Sequence, residues 1–213
     1  MTRQSAVMQR VTESTSKSKR RRDIVRAAID IFAERGYFAA RMHDVAERAG
    51  VADGTLYLYF TGKEDLLVSI LEGHADDFLA RARRDLVQID DPRAQLRRLV
   101  ERHLVSLGRD RALAQVFQIE LRHSRRFLRR VARGTVSQYL RLLVEVIAAG
   151  STAGVFRADV PPEVAARVVF GAVDEMVTAW VLTARPRPLA AQANAVLALV
   201  LQALEPARGE THG

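Results

Sequence analysis

A chain of 213 residues in which 48% of the side chains are apolar can bury a sizeable core, so extensive disorder is excluded away from the chain ends. The absence of cysteine excludes disulfides, zinc–thiolate sites and cysteine nucleophiles, and no apolar run is long enough to cross a membrane. A net charge of +8 favours a polyanionic partner, which could be DNA, RNA, an acidic membrane or a phosphorylated ligand.

The N-terminal segment is predicted to be an arm followed by a helix. Residues 1–18 lack a helical period, are rich in Ser and Thr and end in basic side chains, which predicts a flexible basic arm. No apolar segment follows these charges, so a cytoplasmic protein is expected rather than a secreted one. From residue 19 an amphipathic helix is predicted, with Ile24, Ile31 and Phe32 on its apolar stripe, and Gly36 ends it.

The next elements are short and resemble a helix-turn-helix in their spacing. Val45 marks the buried face of one helix, and Gly50 closes that helix at a position that calls for a positive backbone angle. A turn is expected over residues 51–54 and a third helix over residues 55–60. Together with the first helix they predict a DNA-binding unit over residues 19–65. The side chains expected in its core are Phe32, Val45, Leu56 and Phe60.

This unit also carries the motifs of a known family. The sequence reads Gly-Tyr-Phe at 36–38, Asp-Val-Ala-Glu-Arg-Ala-Gly-Val at 44–51, Gly-Thr-Leu-Tyr-Leu-Tyr-Phe at 54–60 and Lys-Glu-Asp-Leu-Leu at 63–67. In these residues the chain resembles the DNA-binding domain of the tetracycline-repressor (TetR) family. The resemblance implies binding of double-stranded DNA, with Lys63 on a phosphate. Hydroxyls on the third helix are typical phosphate ligands. The predicted DNA-binding residues are Arg41, Asp53, Gly54, Thr55, Tyr57, Tyr59 and Lys63.

Some of these assignments have an alternative. Tyr57 and Tyr59 could pack within the domain instead of binding DNA. Arg41 stands near the position where the family usually has a capping Ser or Thr, so it could contact phosphate or only mark a lost cap that costs about 1 kcal/mol. The basic run at residues 17–22 could bind the DNA backbone or its minor groove, or could merely keep the arm soluble.

The pattern beyond residue 65 is helical almost to the C-terminus. A long helix is predicted from Lys63 to about Val87, and Asp90-Asp91-Pro92 stops it. Further helices are predicted near 93–107, 111–122, 125–149, 162–183 and 190–204. The sequence therefore predicts an all-α protein of about nine helices. Its three-helix DNA-binding domain is followed by a helical ligand-binding and dimerisation domain over residues 66–205 and a disordered tail over residues 206–213.

The last two predicted helices are apolar around much of their circumference. A helix of this kind must be covered on two sides. One cover would be its own domain, and the other would be the same helix pair of a second subunit. A homodimer would present two recognition helices to a palindromic operator. The predicted interface residues are Val168, Val181, Val196, Leu197, Val200, Leu201 and Leu204.

Two C-terminal segments resemble the branch of the family that represses fatty-acid degradation genes. They read Phe-Gln-Ile-Glu-Leu-Arg at 117–122 and Phe-Gly-Ala-Val-Asp-Glu at 170–175. The resemblance implies a long-chain acyl-CoA as the effector that releases the protein from DNA, with no cofactor. Such a ligand needs an apolar tunnel and a cationic mouth, which the arginines of residues 122–130 could supply. The predicted ligand-binding residues are Leu71, Phe78, Phe117, Leu121, Arg122, Arg126, Phe127, Arg129, Leu143, Phe170, Asp174 and Trp180.

The ligand assignment also has alternatives. The tunnel residues could be an ordinary core, and the arginine run could be a solvated face. Asp174 and Glu175 could pair with an arginine such as Arg122, face solvent or lie at the dimer seam. A cationic drug or another lipophile is the alternative effector, although a cationic ligand would call for acidic walls.

Catalysis and metal binding are not expected. The sequence has no nucleophile elbow, no HExxH motif and no paired carboxylates at catalytic spacing. The five histidines are scattered. His74, which is followed closely by Asp76 and Asp77, is predicted to lie in a wet surface patch.

Overall fold

The computed structural model describes residues 3–120, 134 and 136–206, with side chains from Thr15 onward. All regular secondary structure in these residues is helical, which confirms the all-α prediction. The α-helices are α1 (Arg3–Arg35), α2 (Met42–Ala49), α3 (Asp53–Tyr57), α4 (Lys63–Leu86), α5 (Pro92–Gly108), α6 (Arg111–Gln118), α7 (Ser137–Thr152), α8 (Pro162–Leu182) and α9 (Ala193–Leu204), and a short 3-10 helix (Leu189–Gln192) precedes α9.

The chain divides into two compact units, Met1–Leu71 and Glu72–Gly213, and the division falls within α4. The sequence had predicted a boundary between residues 65 and 66, in the first turn of the same helix.

The N-terminal unit is built around the apolar side chains of its short helices. The four side chains predicted for this core, Phe32, Val45, Leu56 and Phe60, are all buried. Gly36 and Gly50 have φ values of 76° and 66°, so each ends its helix in the left-handed conformation that glycine adopts at little cost. Both helix ends predicted from these glycines are confirmed.

Two boundaries in this unit differ from the predictions. The first helix begins at Arg3, so most of the predicted arm is helical; no glycine or proline precedes Gly36 to interrupt it. The helix α3 spans Asp53–Tyr57 rather than residues 55–60. It starts early because the carbonyl oxygen of Ala52 accepts the N–H groups of both Thr55 and Leu56, at 2.9 and 3.2 Å.

The C-terminal unit has α5 at its centre, with α7, α8 and α9 among its neighbours. Asp91 caps α5 by accepting the N–H groups of Arg93 and Ala94, and Pro92 occupies the first turn. The predicted stop and restart at residues 90–92 is therefore confirmed. Side chains that are fully buried in this core include Leu96, Leu99, Leu104, Leu143, Val173 and Leu197.

The helix predicted over residues 125–149 is described only in part. Its described portion is α7, which runs from Ser137 to Thr152, and residues 121–133 lie outside the described residues. The turn after α7 packs tightly because the ring of Phe156 is buried against the backbone of Gly150.

Candidate DNA-binding and ligand-binding sites

The helix-turn-helix places α3 with one side in the core and the other exposed. Leu56 is fully buried, whereas Tyr57 is 55% exposed and Leu58 is 80% exposed. Gly54 is exposed, and nothing would lie within 4 Å of a Cβ at this position, so another molecule could approach its backbone closely. Tyr57 can therefore contact an external partner, whereas Thr55 and Tyr59 are half-buried.

Asp53, a predicted base-reading residue, has a partner within the protein that the sequence analysis missed. The Nδ1 atom of His43 on α2 lies 3.1 Å from both carboxylate oxygens of Asp53 on α3. The pair is exposed, and the hydrogen bond to Asp53 raises the pKa of His43. The contact links the two helices of the motif, so Asp53 could reach DNA only beside or in place of His43.

Lys63 has a structural role that the resemblance did not indicate. Its Nζ donates to the carbonyl oxygens of Phe38 at 3.0 Å and Ala40 at 3.1 Å, and it lies 4.7 Å from the ring centre of Tyr37. Partial burial lowers the pKa of Lys63. Two of its three donors therefore hold the loop between α1 and α2, which leaves one donor for a phosphate.

Arg41 is exposed at the N-cap of α2, and its guanidinium can reach outward. The backbone N–H of Arg41 donates to the Asp44 carboxylate at 3.0 Å, and this bond lowers the pKa of Asp44. A capping box has two hydrogen bonds, one from each side chain to the backbone of the other residue. An arginine side chain has no acceptor, so this pair can form only the bond to the Asp44 carboxylate. The missing Ser or Thr cap is thus partly compensated.

Two of the predicted ligand residues, Phe78 and Phe170, join an aromatic cluster with Tyr139 and His103. The ring centre of Tyr139 lies 5.1 Å from that of Phe78 and 6.0 Å from that of Phe170, both edge-on. The His103 ring lies 5.4 to 6.2 Å from the other three. The four side chains come from α4, α5, α7 and α8, so the cluster lies where these helices meet.

Other residues predicted to bind the ligand lie outside the aromatic cluster. Leu71 is buried in the N-terminal unit, and Leu143 belongs to the core of the C-terminal unit. Trp180 is buried, with the guanidinium of Arg111 5.6 Å from its ring centre and no hydrogen-bond partner for its indole nitrogen among the described residues. Five predicted residues lie outside the described part of the chain: Leu121, Arg122, Arg126, Phe127 and Arg129.

His103 is a buried polar residue that sequence reasoning missed. Burial lowers its pKa to about 4, and the charge of Asp174 opposes this shift. Its Nδ1 has no hydrogen-bond partner among the described residues. Its burial could have been predicted from its spacing in the sequence, which places it on the same apolar face of α5 as Leu99 and Leu107.

Asp174 is half-buried in a polar group that also includes Gln118 and Thr178. The Gln118 amide donates to the Asp174 carboxylate at 2.7 Å, and the Thr178 hydroxyl donates to the Gln118 carbonyl oxygen at 3.0 Å. Glu175, the next residue of α8, is exposed. The two neighbouring carboxylates therefore have different environments.

The prediction that His74 lies in a wet surface patch is wrong. His74 is half-buried, its Nε2 lies 3.3 Å from the Ser106 hydroxyl, and its ring packs edge-on against Phe117 at 5.2 Å. Desolvation lowers the pKa of His74. The helical position of His74 beside Phe78, rather than its acidic neighbours in sequence, decides its environment.

Most of the predicted dimer-interface residues are covered by the chain's own core. Five of the seven residues, Val181, Val196, Leu197, Val200 and Leu204, are buried in the chain's own core. Leu201 is partly buried against that core, while Val168 is 63% exposed. Helical periodicity showed that α8 and α9 are apolar on several sides but could not show which side the domain itself covers. The large apolar side chains that are exposed on these helices are Val164, Val168, Leu182 and Leu199.

No group of three or more His, Asp or Glu side chains in the described residues is arranged to hold a metal ion. No helix in the described part is both long and apolar enough to cross a membrane.

Known proteins are similar to this chain over most of its length. The fatty acid metabolism regulator protein of Bacillus subtilis is 34% identical over 181 residues, which cover 85% of this chain and 93% of that protein. The HTH-type transcriptional repressor KstR2 of Rhodococcus jostii is 31% identical over 83% of this chain and 84% of its own length.

Solved structures show the same likeness. The transcriptional regulator FadR of Bacillus subtilis, in complex with stearoyl-CoA, has a TM-score of 0.79 and 33% identity, and the match covers 86% of this chain and 98% of that one. The fatty acid degradation regulator FadR of Bacillus halodurans has a TM-score of 0.81 and 36% identity, over 85% of this chain and 94% of that one.

Family matches follow the two units of the structure. Residues 72–203 match the family described as YsiA-like protein, C-terminal region. Residues 24–70, which include α2, α3 and the start of α4, match the family described as bacterial regulatory proteins, tetR family. The chain therefore belongs to the TetR family of DNA-binding transcription regulators and is close to the FadR-like regulators of fatty acid metabolism.

Proposed function

We propose that this protein is a homodimeric repressor of fatty-acid degradation genes that a long-chain acyl-CoA releases from a palindromic operator. The observation that carries the proposal is the close structural similarity to a FadR that was solved with stearoyl-CoA. The aromatic cluster of Phe78, Tyr139 and Phe170 supports it, because an acyl chain needs apolar side chains of this kind around it.

The DNA side of the proposal rests on the exposed surface of α3. Tyr57 and the backbone at Gly54 face outward, and Arg41 is exposed at the N-cap of α2. A hydroxyl, an open backbone and a guanidinium are suited to phosphates and base edges in a major groove. Lys63 would add one phosphate contact through its remaining donor.

The dimer would form through the exposed side of α8 and α9, which includes Val168 of the residues predicted from the sequence. Val164 and Val168 lie one turn apart on α8, and Leu199 is exposed on α9. Two copies of this face would bury apolar area that a single chain leaves in water. Pairing would set the spacing between the two copies of α3.

The long helix α4 provides the connection for release, because its first residues belong to the N-terminal unit and its last residues to the C-terminal unit. An acyl-CoA that binds better to a state with the two α3 helices at the wrong spacing would lower operator affinity. Linkage then requires that operator DNA lower acyl-CoA affinity by the same factor.

The test uses a duplex that the full-length protein selects from random sequence. Acyl-CoAs of increasing chain length are added, and we expect release at lower concentrations as the chain grows to about twelve or more carbons, since each buried methylene adds roughly 0.8 kcal/mol. Coenzyme A without an acyl chain is the control and is expected to leave the complex intact. Release by coenzyme A alone, or no release by any acyl-CoA, would contradict the proposal.

A second effector class is favoured by one observation. The chain is also similar to KstR2, described for Mycobacterium tuberculosis as a ketosteroid transcriptional regulator, at 27% identity and a TM-score of 0.73. Edge-on aromatic rings such as those of Phe78 and Tyr139 can pack against a ring-bearing lipophile as well as against a chain. Release by a polycyclic lipophile, with no dependence on acyl length, would favour this class.

A further inference from the structure

The C-terminal unit contains a basic groove that the sequence analysis did not single out. It is a cavity of about 410 Å³ between α4 and α5. The α4 wall consists of His74, Asp77, Phe78 and Arg81, and the α5 wall consists of Arg98, Glu101, Arg102, Val105, Ser106 and Arg109. Within each wall the residues recur at helical spacings of three and four, so each wall is one face of its helix.

The charge of the groove favours an anion. Four guanidinium groups face two carboxylates, and His74 is kept toward its neutral form by desolvation. Arg102 and Arg98 are already held by Asp85 beside the groove, with Arg98 at 3.8 Å. The carboxylate of Glu101 lies 3.8 Å from the guanidinium of Arg97, a residue that does not line the groove.

Two arginines of the groove are available for a ligand. Neither Arg81 nor Arg109 has an ion pair or a side-chain hydrogen bond within the part of the chain that the structure describes, and both are exposed. They extend from opposite walls, Arg81 from α4 and Arg109 from the C-terminal end of α5. Guanidinium groups bind phosphate oxygens in a bidentate manner, so this pair matches a phosphorylated ligand better than a carboxylic acid alone.

The α4 wall of the groove adjoins the aromatic cluster. Phe78 lines the groove, and its ring also packs edge-on against Tyr139 at 5.1 Å. His74, on the same wall, packs against Phe117 at 5.2 Å. A molecule with a charged end in the groove and an apolar tail could therefore continue from the arginines into the apolar interior.

We propose that the groove between α4 and α5 binds the phosphate groups of the effector's nucleotide, with Arg81 and Arg109 as the phosphate ligands. This inference rests on the proposed function, since it assigns the cationic mouth for an acyl-CoA. It places that mouth on α4 and α5 rather than on the arginines of residues 122–130. The acyl chain enters the protein past Phe78.

The test compares two ligands on two protein variants. The ligands are palmitoyl-CoA and the palmitoyl thioester of pantetheine, which lacks every phosphate. The groove variant carries Arg81→Gln and Arg109→Gln. The matched control carries Arg84→Gln and Arg141→Gln, which remove two exposed arginines from α4 and α7 outside the groove. Binding is measured by calorimetry, and melting temperature and duplex binding check the fold.

We expect the groove variant to bind palmitoyl-CoA at least about tenfold more weakly and the pantetheine thioester unchanged, because only phosphate contacts are lost. The control variant should bind both ligands as the wild type does. Equal affinity of the groove variant and the wild type for palmitoyl-CoA would overturn the inference while leaving the proposed function intact. Failure of the wild type to bind either ligand would overturn both.

A second measurement uses the wild-type protein and does not depend on the variants folding. Arginines are modified with phenylglyoxal and located by mass spectrometry. Palmitoyl-CoA is expected to protect Arg81 and Arg109 but not Arg84, and the pantetheine thioester should protect none of them. Protection by both ligands, or of neither groove arginine, contradicts the assignment.

Discussion

His103 shows how a single side chain can make the C-terminal unit sensitive to acid. Its imidazole is enclosed by the rings of Phe78, Tyr139 and Phe170, where water cannot solvate a positive charge. The carboxylate of Asp174 favours the protonated form, but desolvation is the larger effect and brings the pKa to about 4. The folded protein therefore keeps this ring neutral at pH 7, whereas an unfolded chain would begin to protonate it near pH 6.5.

The pH dependence of stability follows from this difference. Between about pH 6.5 and pH 4 the unfolded chain binds the proton and the folded chain does not, so stability is fully present above pH 6.5 and falls as the pH drops toward 4. The expected loss is about 3 kcal/mol. Thermal melts from pH 7.5 to pH 4 should show a clearly smaller decrease for His103→Gln than for the wild type.

His43 provides the matched control for this experiment. It is exposed, and Asp53 raises its pKa. Its effect on stability therefore depends on pH in the opposite direction, since protonation of His43 stabilises the folded state. His43→Gln should retain the acid sensitivity of the wild type. If His103→Gln loses stability with acid as steeply as the wild type, burial of His103 is not the cause.

At the scale of elements, the packing at the end of α7 requires a glycine at position 150, because there is no room for a side chain. A Cβ at Gly150 would lie 2.1 Å from the ring of Phe156, which is itself buried. The carbonyl oxygen of Gly150 also accepts the N–H groups of Val155 and Phe156, at 2.8 and 3.1 Å. The turn cannot move away from the helix without losing both the bonds and the packing.

We expect Gly150→Ala to destabilise the protein by about 1–3 kcal/mol or more, because a rigid buried ring would have to shift. Gly73→Ala is the control, since that glycine lies within α4 and a Cβ there meets no atom within 4 Å. The control should be neutral or more stable by up to about 1 kcal/mol. Urea denaturation of both variants measures the difference, and equal stability would mean that the contact with Phe156 is unimportant.

For the whole molecule, the proposed dimer is the feature on which the proposed recognition of a palindromic operator depends. Val168→Glu places a charge on the exposed face of α8 at a side chain that is 63% exposed in one chain, so the single chain should fold normally. In the proposed dimer the charge would be buried without a partner. We expect a monomer in analytical ultracentrifugation and about 100-fold weaker binding to a palindromic duplex, because the two half-sites are no longer linked.

Val87→Glu is the control for the dimer prediction. Val87 is 78% exposed just beyond the end of α4, and it lies on neither α8 nor α9. This variant should remain dimeric. A dimeric Val168→Glu protein would show that copies of this chain pair through another face.

The sequence could predict the DNA-binding unit better than the ligand site for a physical reason. Residues around Gly50 and Leu56 interact over short distances along the chain, so spacing alone indicates which of them are buried. The aromatic cluster instead joins four helices that are far apart in sequence. For Leu197, apolar periodicity indicated burial but not whether its own chain or a partner covers it. For His74, charged neighbours in sequence pointed to solvent, while the neighbouring helix α5 partly covers it.

The ammonium group of Lys63 has a mechanical consequence. It belongs to the first residue of α4, yet it holds two carbonyl oxygens of the segment that leads into α2. In the proposed mechanism, a displacement at the start of α4 would therefore be passed to the segment before α2, and through the His43–Asp53 contact to α3. Release from DNA would then require no separate hinge between the helix-turn-helix and α4.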